Sequence, residues 1–180
     1  EQQESFADLG LLFLAVIVLV YLVMASQFES YSRPFVIMFS VPFAVTGAAL
    51  ALWITGTDLS MIAALGLVLL VGIVVKNGIV LVDFINLMRD RGLEVNEAIA
   101  VSGKSRLRPV LMTAATTILG MFPMALGIGE GSEIWSPMGI TIIGGMVVST
   151  AITMILIPVM YGLMARHGDR DKQEKTRKQF

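Results

Sequence analysis

The chain has 180 residues, 14 acidic and 13 basic, with a formal net charge of −1. Hydrophobic residues make up 56% against 15% charged, and the mean hydropathy of +0.79 is far above that of soluble domains. This balance excludes an ordinary soluble domain and marks a membrane protein. With no cysteine and a single histidine, His167 in the charged tail, neither a thiolate metal site nor a Cys or His nucleophile is available, and structural zinc is excluded.

A hydrocarbon core of roughly 30 Å is crossed by about 20 apolar residues in a helix. Taken in chain order, residues 1–8 (EQQESFAD) form a polar, acidic lead-in, and the first span covers 9–25. The second is expected over 34–55 with Pro42 inside it, and the third over 59–89. Residues 93–102 read as a short amphipathic helix along the membrane surface, with Leu93, Val95, Ala98, Ile99 and Val101 on the apolar side. The fourth span covers 109–126 with Pro123 inside it, and the fifth 137–164 with Pro158 near its end. Pro34, Pro109 and Pro137 are each expected to open a span, where a missing backbone N–H costs nothing. Residues 165–180 form a mixed-charge tail whose composition is that of a disordered end. The predicted fold is all-α and polytopic, with five transmembrane helices.

Basic residues set the expected orientation. Arg33 follows span one; Arg89, Arg91, Lys104, Arg106 and Arg108 lie between spans three and four; the rest, apart from Lys76, follow span five. The loops on the other side, GTDLS and GIGEGSEIWS, contain no Lys or Arg. The positive-inside rule therefore predicts an external amino terminus and a cytoplasmic carboxyl terminus. The chain opens on Glu1, and its first span runs inward without a basic, cleavable leader. It reads as a piece of a longer protein, with at least one more span and an outer domain before it.

The exception to the charge pattern is Lys76, inside the apolar run GIVVKNGIVLVDF. A charged lysine at the centre of a lone membrane helix costs about 2.5–3.5 kcal/mol on insertion scales, which the surrounding Leu, Val and Ile residues can offset. Snorkelling to the inner surface is one reading. Against it, Lys76 lies several residues above the inner edge, and side chains lean toward a helix's N-terminus, here pointing away from the nearer water. A packed, functional or paired lysine is the stronger reading. Asp83 shares its helical face, but two turns separate their Cα atoms by roughly 10 Å, so Asp83 reads as an interface residue before a relay one. No other acid lies inside a span, so an acidic partner of Lys76 is missing from this sequence, replaced by lipid-facing water, or absent.

Other candidates have structural explanations beside functional ones. Arg106 lies in a loop that topology already requires to be basic. Thr113, Thr116 and Thr117 can bond the preceding turn, and Asn77 can join two helices or act inside the bundle. Gly66, Gly72 and Gly78 in span three, and Gly145, Ser149 and Thr153 in span five, read as sites of close helix packing. GIGEGS, 127–132, lacks the preceding strand and following lysine of a phosphate loop, so no nucleotide site is expected.

Three segments, LVMASQFESYSRPFVIMFSVP, GIVVKNGIVLVDFIN and GKSRLRPVLMTAATTILGMFPMALGIG, occur in an order and spacing that resemble the resistance-nodulation-division (RND) transporters, particularly their hydrophobe/amphiphile efflux pumps. The resemblance runs from Phe6 to about Arg166 and matches the last five of twelve transmembrane helices. It implies a bacterial inner-membrane, proton-driven exporter of hydrophobic or amphiphilic compounds such as drugs, with residues 1–8 ending a periplasmic linker. It also implies a homotrimer, a periplasmic adaptor and an outer-membrane channel. In the family a lysine faces a pair of aspartates in the fourth helix, and protonation of the pair weakens the attraction. By the resemblance Lys76 is that lysine, Arg106 and Thr113 line the same proton route, and Asn77 and Asp83 are secondary candidates. The aspartates would belong to the missing amino-terminal half. No enzyme activity, cofactor or nucleic-acid partner is expected, only membrane lipid and a proton gradient. Relatives exporting metal ions or lipids, and a non-transporting assembly or protein-export component, are the alternatives.

Overall fold

The computed structural model describes the backbone of residues 2–29 and 31–177 and the side chains of 7–29, 31 and 33–165. Within it the chain forms six α-helices: α1 (Gln2–Phe28), α2 (Ser32–Met38), α3 (Val41–Thr55), α4 (Met61–Asp90), α5 (Val95–Ala125) and α6 (Ser132–Arg177). Five stretches are long and apolar enough to cross a membrane, α2 and α3 together making one of them.

The second span differs from its prediction because of Pro42. Without an N–H, Pro42 cannot bond the Met38 carbonyl, and its ring crowds that carbonyl. The helix breaks at Phe39–Ser40, where the Ser40 backbone N–H and hydroxyl both donate to the Ile37 carbonyl, at 3.0 and 2.6 Å. α3 then restarts with Pro42 in its first turn, and Gly56 ends it at φ 65° while the Thr57 N–H returns to the Leu52 carbonyl. α4 is capped by Ser60, whose hydroxyl accepts the Ala63 N–H at 3.2 Å.

Two further expectations are corrected. The stretch 93–102 is not a separate surface helix: its residues from Val95 onward are the first turns of α5, which runs unbroken through Pro109. Ala98 and Ser102 of this stretch are buried, so packing on the bundle holds it in line with the span. Pro109 and Pro137 likewise lie inside helices rather than opening them. Each proline forfeits one hydrogen bond, a loss that helices within a packed bundle tolerate. The charged tail, expected to lack regular structure, is helical in its backbone as far as Arg177; its side chains lie outside the described residues.

α6 is the hub, packed against α3, α5 and α4, whereas α1 touches α2 and α4 and is largely exposed. Lipid tails are as apolar as leucine, so close van der Waals fit, and not water exclusion, must hold such helices together. The α3–α6 seam achieves it with glycine. A Cβ on Gly47 would lie 2.6 Å from Val148 Cβ and 2.8 Å from the Gly144 carbonyl, and one on Gly144 would overlap Ala51. On α4, a Cβ on Gly66 would press Met138 of α6 and one on Gly78 would lie 2.7 Å from Ile37 Cγ2; on α6, one on Gly145 would collide with Leu70. Ser149 is buried on the same side of α6 as Gly145. Gly72 is the exception among the predicted packing glycines: it is exposed, and a Cβ there meets nothing within 4 Å.

The GIGEGS segment is the α5–α6 turn. Gly127, Gly129 and Gly131 all take positive φ, which reverses the chain within a few residues. The Ser136 hydroxyl then bonds the Ala125 carbonyl at 2.7 Å, tying the start of α6 to the end of α5.

Candidate functional site

The exposed positions of α4 recur every three or four residues: Leu65, Leu69, Gly72, Lys76, Val80, Asp83 and Leu87. That spacing is one stripe of a 3.6-residue helix. The opposite stripe, with Leu70, Val74, Asn77, Gly78, Leu81 and Ile85, is buried. Lys76 and Asn77 are therefore neighbours in sequence and opposites in environment: Lys76 stands on the open face, and Asn77 turns into the bundle. Asp83 shares the open face with Lys76, two turns or about 10 Å along the axis. Among the described residues, no ion pair joins Lys76 to a carboxylate.

α5 runs antiparallel to α4 beside it. The Arg106 guanidinium lies 4.3 Å from the centroid of the Phe84 ring, and further along one core cluster gathers Leu70 and Val74 with Ala114. This register brings Thr113 to the level of Lys76. Thr113 is exposed, and its hydroxyl donates to the Pro109 carbonyl at 2.9 Å, while Thr117 donates to the Thr113 carbonyl at 2.9 Å and Thr116 to that of Met112 at 2.8 Å. All three threonines thus spend their hydrogens on the preceding turn and keep oxygen lone pairs free to accept.

Arg106 stands two turns from Thr113 toward the N-terminus of α5, at the end of the bundle that carries the α4–α5 loop. It is partly buried, and its Nε has no hydrogen-bond partner. A guanidinium over an aromatic face gains about 0.5–2 kcal/mol, more as water is excluded. The structure therefore brings Lys76 and Thr113 to one level and Arg106 to another, with Asp83 and Phe84 at the second level on α4.

Sequence reasoning missed several residues here. Phe84 is one phenylalanine in an apolar run, and nothing in spacing marks it as the seat of a cation. Ser102 is fully buried with an unpartnered hydroxyl one turn before Arg106. Tyr161 of α6 donates to Asn86 Oδ1 of α4 at 2.6 Å, a polar tie between two helices 75 residues apart in the chain. A buried tyrosine in a membrane helix needs such a partner, which was the available signal. Among the described residues no group of three His, Cys, Asp or Glu side chains gathers as metal ligands do.

This arrangement of helices has relatives. The sequence profile of the AcrB/AcrD/AcrF family matches residues 1–165. The chain belongs to the AcrB/AcrD/AcrF family of RND efflux transporters. It is 44% identical over 161 residues to the multidrug resistance protein MdtC of Erwinia tasmaniensis, covering 89% of this chain and 16% of that protein. The cobalt-zinc-cadmium resistance protein CzcA of Cupriavidus metallidurans is 37% identical over 172 residues, covering 96% of this chain and 16% of the relative. A crystal structure of a heavy metal efflux pump superposes with a TM-score of 0.82 at 32% identity, over 92% of this chain and 16% of that one. The chain thus spans about a sixth of the length of these AcrB/AcrD/AcrF-type proteins. Membership makes it a multi-pass protein of the inner membrane in a family of transporters.

Proposed function

We propose that this chain is the carboxyl-terminal transmembrane part of a proton-driven exporter, in which Lys76 faces the aspartate pair of the missing amino-terminal half. The observation that carries the reading is the open face of α4: a lysine at mid-span, exposed on the five-span unit, with no carboxylate partner among the described residues. Leaving an ammonium group in hydrocarbon is costly, so the stripe formed by Gly72, Lys76, Val80 and Asp83 is where a partner helix docks.

In this reading a proton taken up by the aspartates weakens their hold on Lys76, and the helix so released shifts. Thr113, level with Lys76, offers an acceptor to the route, and Arg106 stands at its cytoplasmic end. Asn77 braces α4 from inside the bundle, and Asp83 lines the same open face. The amino terminus lies on the periplasmic side and the charged tail in the cytoplasm, in keeping with the Lys and Arg distribution. The energy source is the proton gradient, with no cofactor. The working assembly is a homotrimer joined to a periplasmic adaptor and an outer-membrane channel.

The exported compounds are hydrophobic or amphiphilic, a choice supported by the identity to MdtC. A second reading, export of metal ions, is supported by CzcA and by the heavy metal efflux pump structure. Substrate contacts lie outside these five spans in either case.

The test is export from cells carrying the full-length protein, wild type against Lys76→Met at matched membrane level, with one panel of dyes and antibiotics and another of cobalt, zinc and cadmium. Loss of dye and antibiotic export with normal assembly is the expected result. Loss confined to the metal panel supports the second reading. Undiminished, gradient-dependent export by Lys76→Met would overturn the relay.

A further inference from the structure

Arg106 is a long cationic side chain three turns into α5, in the part of the helix nearer the α4–α5 loop and its water. Side chains of a helix lean toward its N-terminus, and in α5 that direction is the loop. An unrestrained arginine here would extend its guanidinium into that water. In the structure it does something else. The guanidinium carbon lies 4.3 Å from the centroid of the Phe84 ring on the neighbouring helix, and Nε is buried without a hydrogen-bond partner. A cation held over a ring face without that hydrogen bond is held by the ring's negative quadrupole.

Phe84 is well placed to do this. It is half-buried and packs against the core cluster that includes Ile85, Met88, Ala98 and Tyr161. It also sits on the helix that carries Lys76, eight residues on, or about 12 Å along the axis. The ring therefore joins the arginine of α5 to the helix whose lysine faces the missing aspartates.

Resting on the relay reading above, we infer that Phe84 is a positioning residue for Arg106. Its aromatic face keeps the guanidinium at the α4–α5 contact and out of the loop water, so that a shift of α4 carries the cation with it. Phe84 touches neither substrate nor proton; it acts through Arg106. A leucine at this position would fill the space and keep the apolar contacts but leave the guanidinium free to turn outward. Tyrosine or tryptophan would preserve the ring face.

The experiment uses the full-length protein in cells, at matched membrane level and with oligomeric state checked on native gels. Phe84→Leu, Phe84→Met, Phe84→Tyr and Phe84→Trp are compared with wild type, Lys76→Met and Arg106→Met. For Phe84→Leu and Phe84→Met the maximal export rate of a transported dye falls about fivefold, with its half-saturating concentration unchanged, while the tyrosine and tryptophan variants stay near wild type. The methionine variant serves if leucine impairs assembly. If Arg106→Met abolishes export while Phe84→Leu and Phe84→Met match wild type, the inference is overturned and the relay stands. Impairment of the tyrosine and tryptophan variants as deep as that of leucine would reduce Phe84 to packing and overturn it too. Wild-type export by both Lys76→Met and Arg106→Met would remove the relay reading and this inference with it.

Discussion

The two faces of α4 are made from the same kinds of residue and serve opposite ends. The packed face carries Gly66, Leu70, Val74, Asn77, Gly78, Leu81 and Ile85, and meets α2, α3 and α6 so closely that a methyl group at Gly78 would collide with Ile37. The open face carries Gly72, Lys76, Val80 and Asp83, and a methyl group at Gly72 would touch nothing. Each has glycine, valine and one or more polar side chains. What separates them is a rotation of 100° per residue and the helices that happen to lie on one side. Small residues in a membrane helix thus mark close packing only when a neighbour is there to use the space, and a polar residue is structural or functional according to which face it occupies.

Substitution on the two faces should separate them sharply. The largest effect is expected at the packed contact between α4 and α6: Gly145→Leu forces a side chain onto Leu70 and the Ala44 carbonyl, overpacking worth about 3 kcal/mol or more. The full-length protein should then fail to accumulate in membranes, and normal accumulation would show that the seam is looser than described. Next, Gly78→Ala should lower stability in detergent by roughly 1–2 kcal/mol, because Ile37 and Ile157 must move. A comparable loss is expected from Tyr161→Phe, which strands the Asn86 amide oxygen, at about 1 kcal/mol. The smallest change belongs to the open face. Gly72→Ala should leave this unit neutral or more stable by up to about 1 kcal/mol, as alanine is the better helix former. Thermal melts of the full-length protein read both glycine variants. If Gly72→Ala destabilises as much as Gly78→Ala, the helix proposed to dock on the open face packs directly on Gly72; a neutral result means that it leaves room there.

The contrast explains how much was legible beforehand. Five membrane crossings follow from runs of apolar residues, since no other composition survives in hydrocarbon. Lys76 stood out for the same reason, as did the lack of another acid inside the spans. Helix ends were less legible. Pro42 breaks its span while Pro109 and Pro137 do not break theirs, because the outcome depends on whether surrounding contacts hold the helix straight, and that information is not local. Glycines were less legible: among the described residues Gly66, Gly78 and Gly145 meet neighbours and Gly72 does not, and Gly47 and Gly144, the pair at the α3–α6 seam, carried no distinguishing pattern.

Sequence alone determined the class of the protein, its five spans and the lysine that does not belong among them, because burial of charge in lipid is expensive wherever the helices pack. The tertiary structure decided which face of α4 is open, that Asn77 turns inward while Lys76 does not, that Thr113 reaches the level of Lys76, and that Arg106 rests on Phe84. Those facts depend on the rotation and register of one helix against another. Side-chain shape sets both through contacts between residues far apart in the chain, so no single run of sequence contains them.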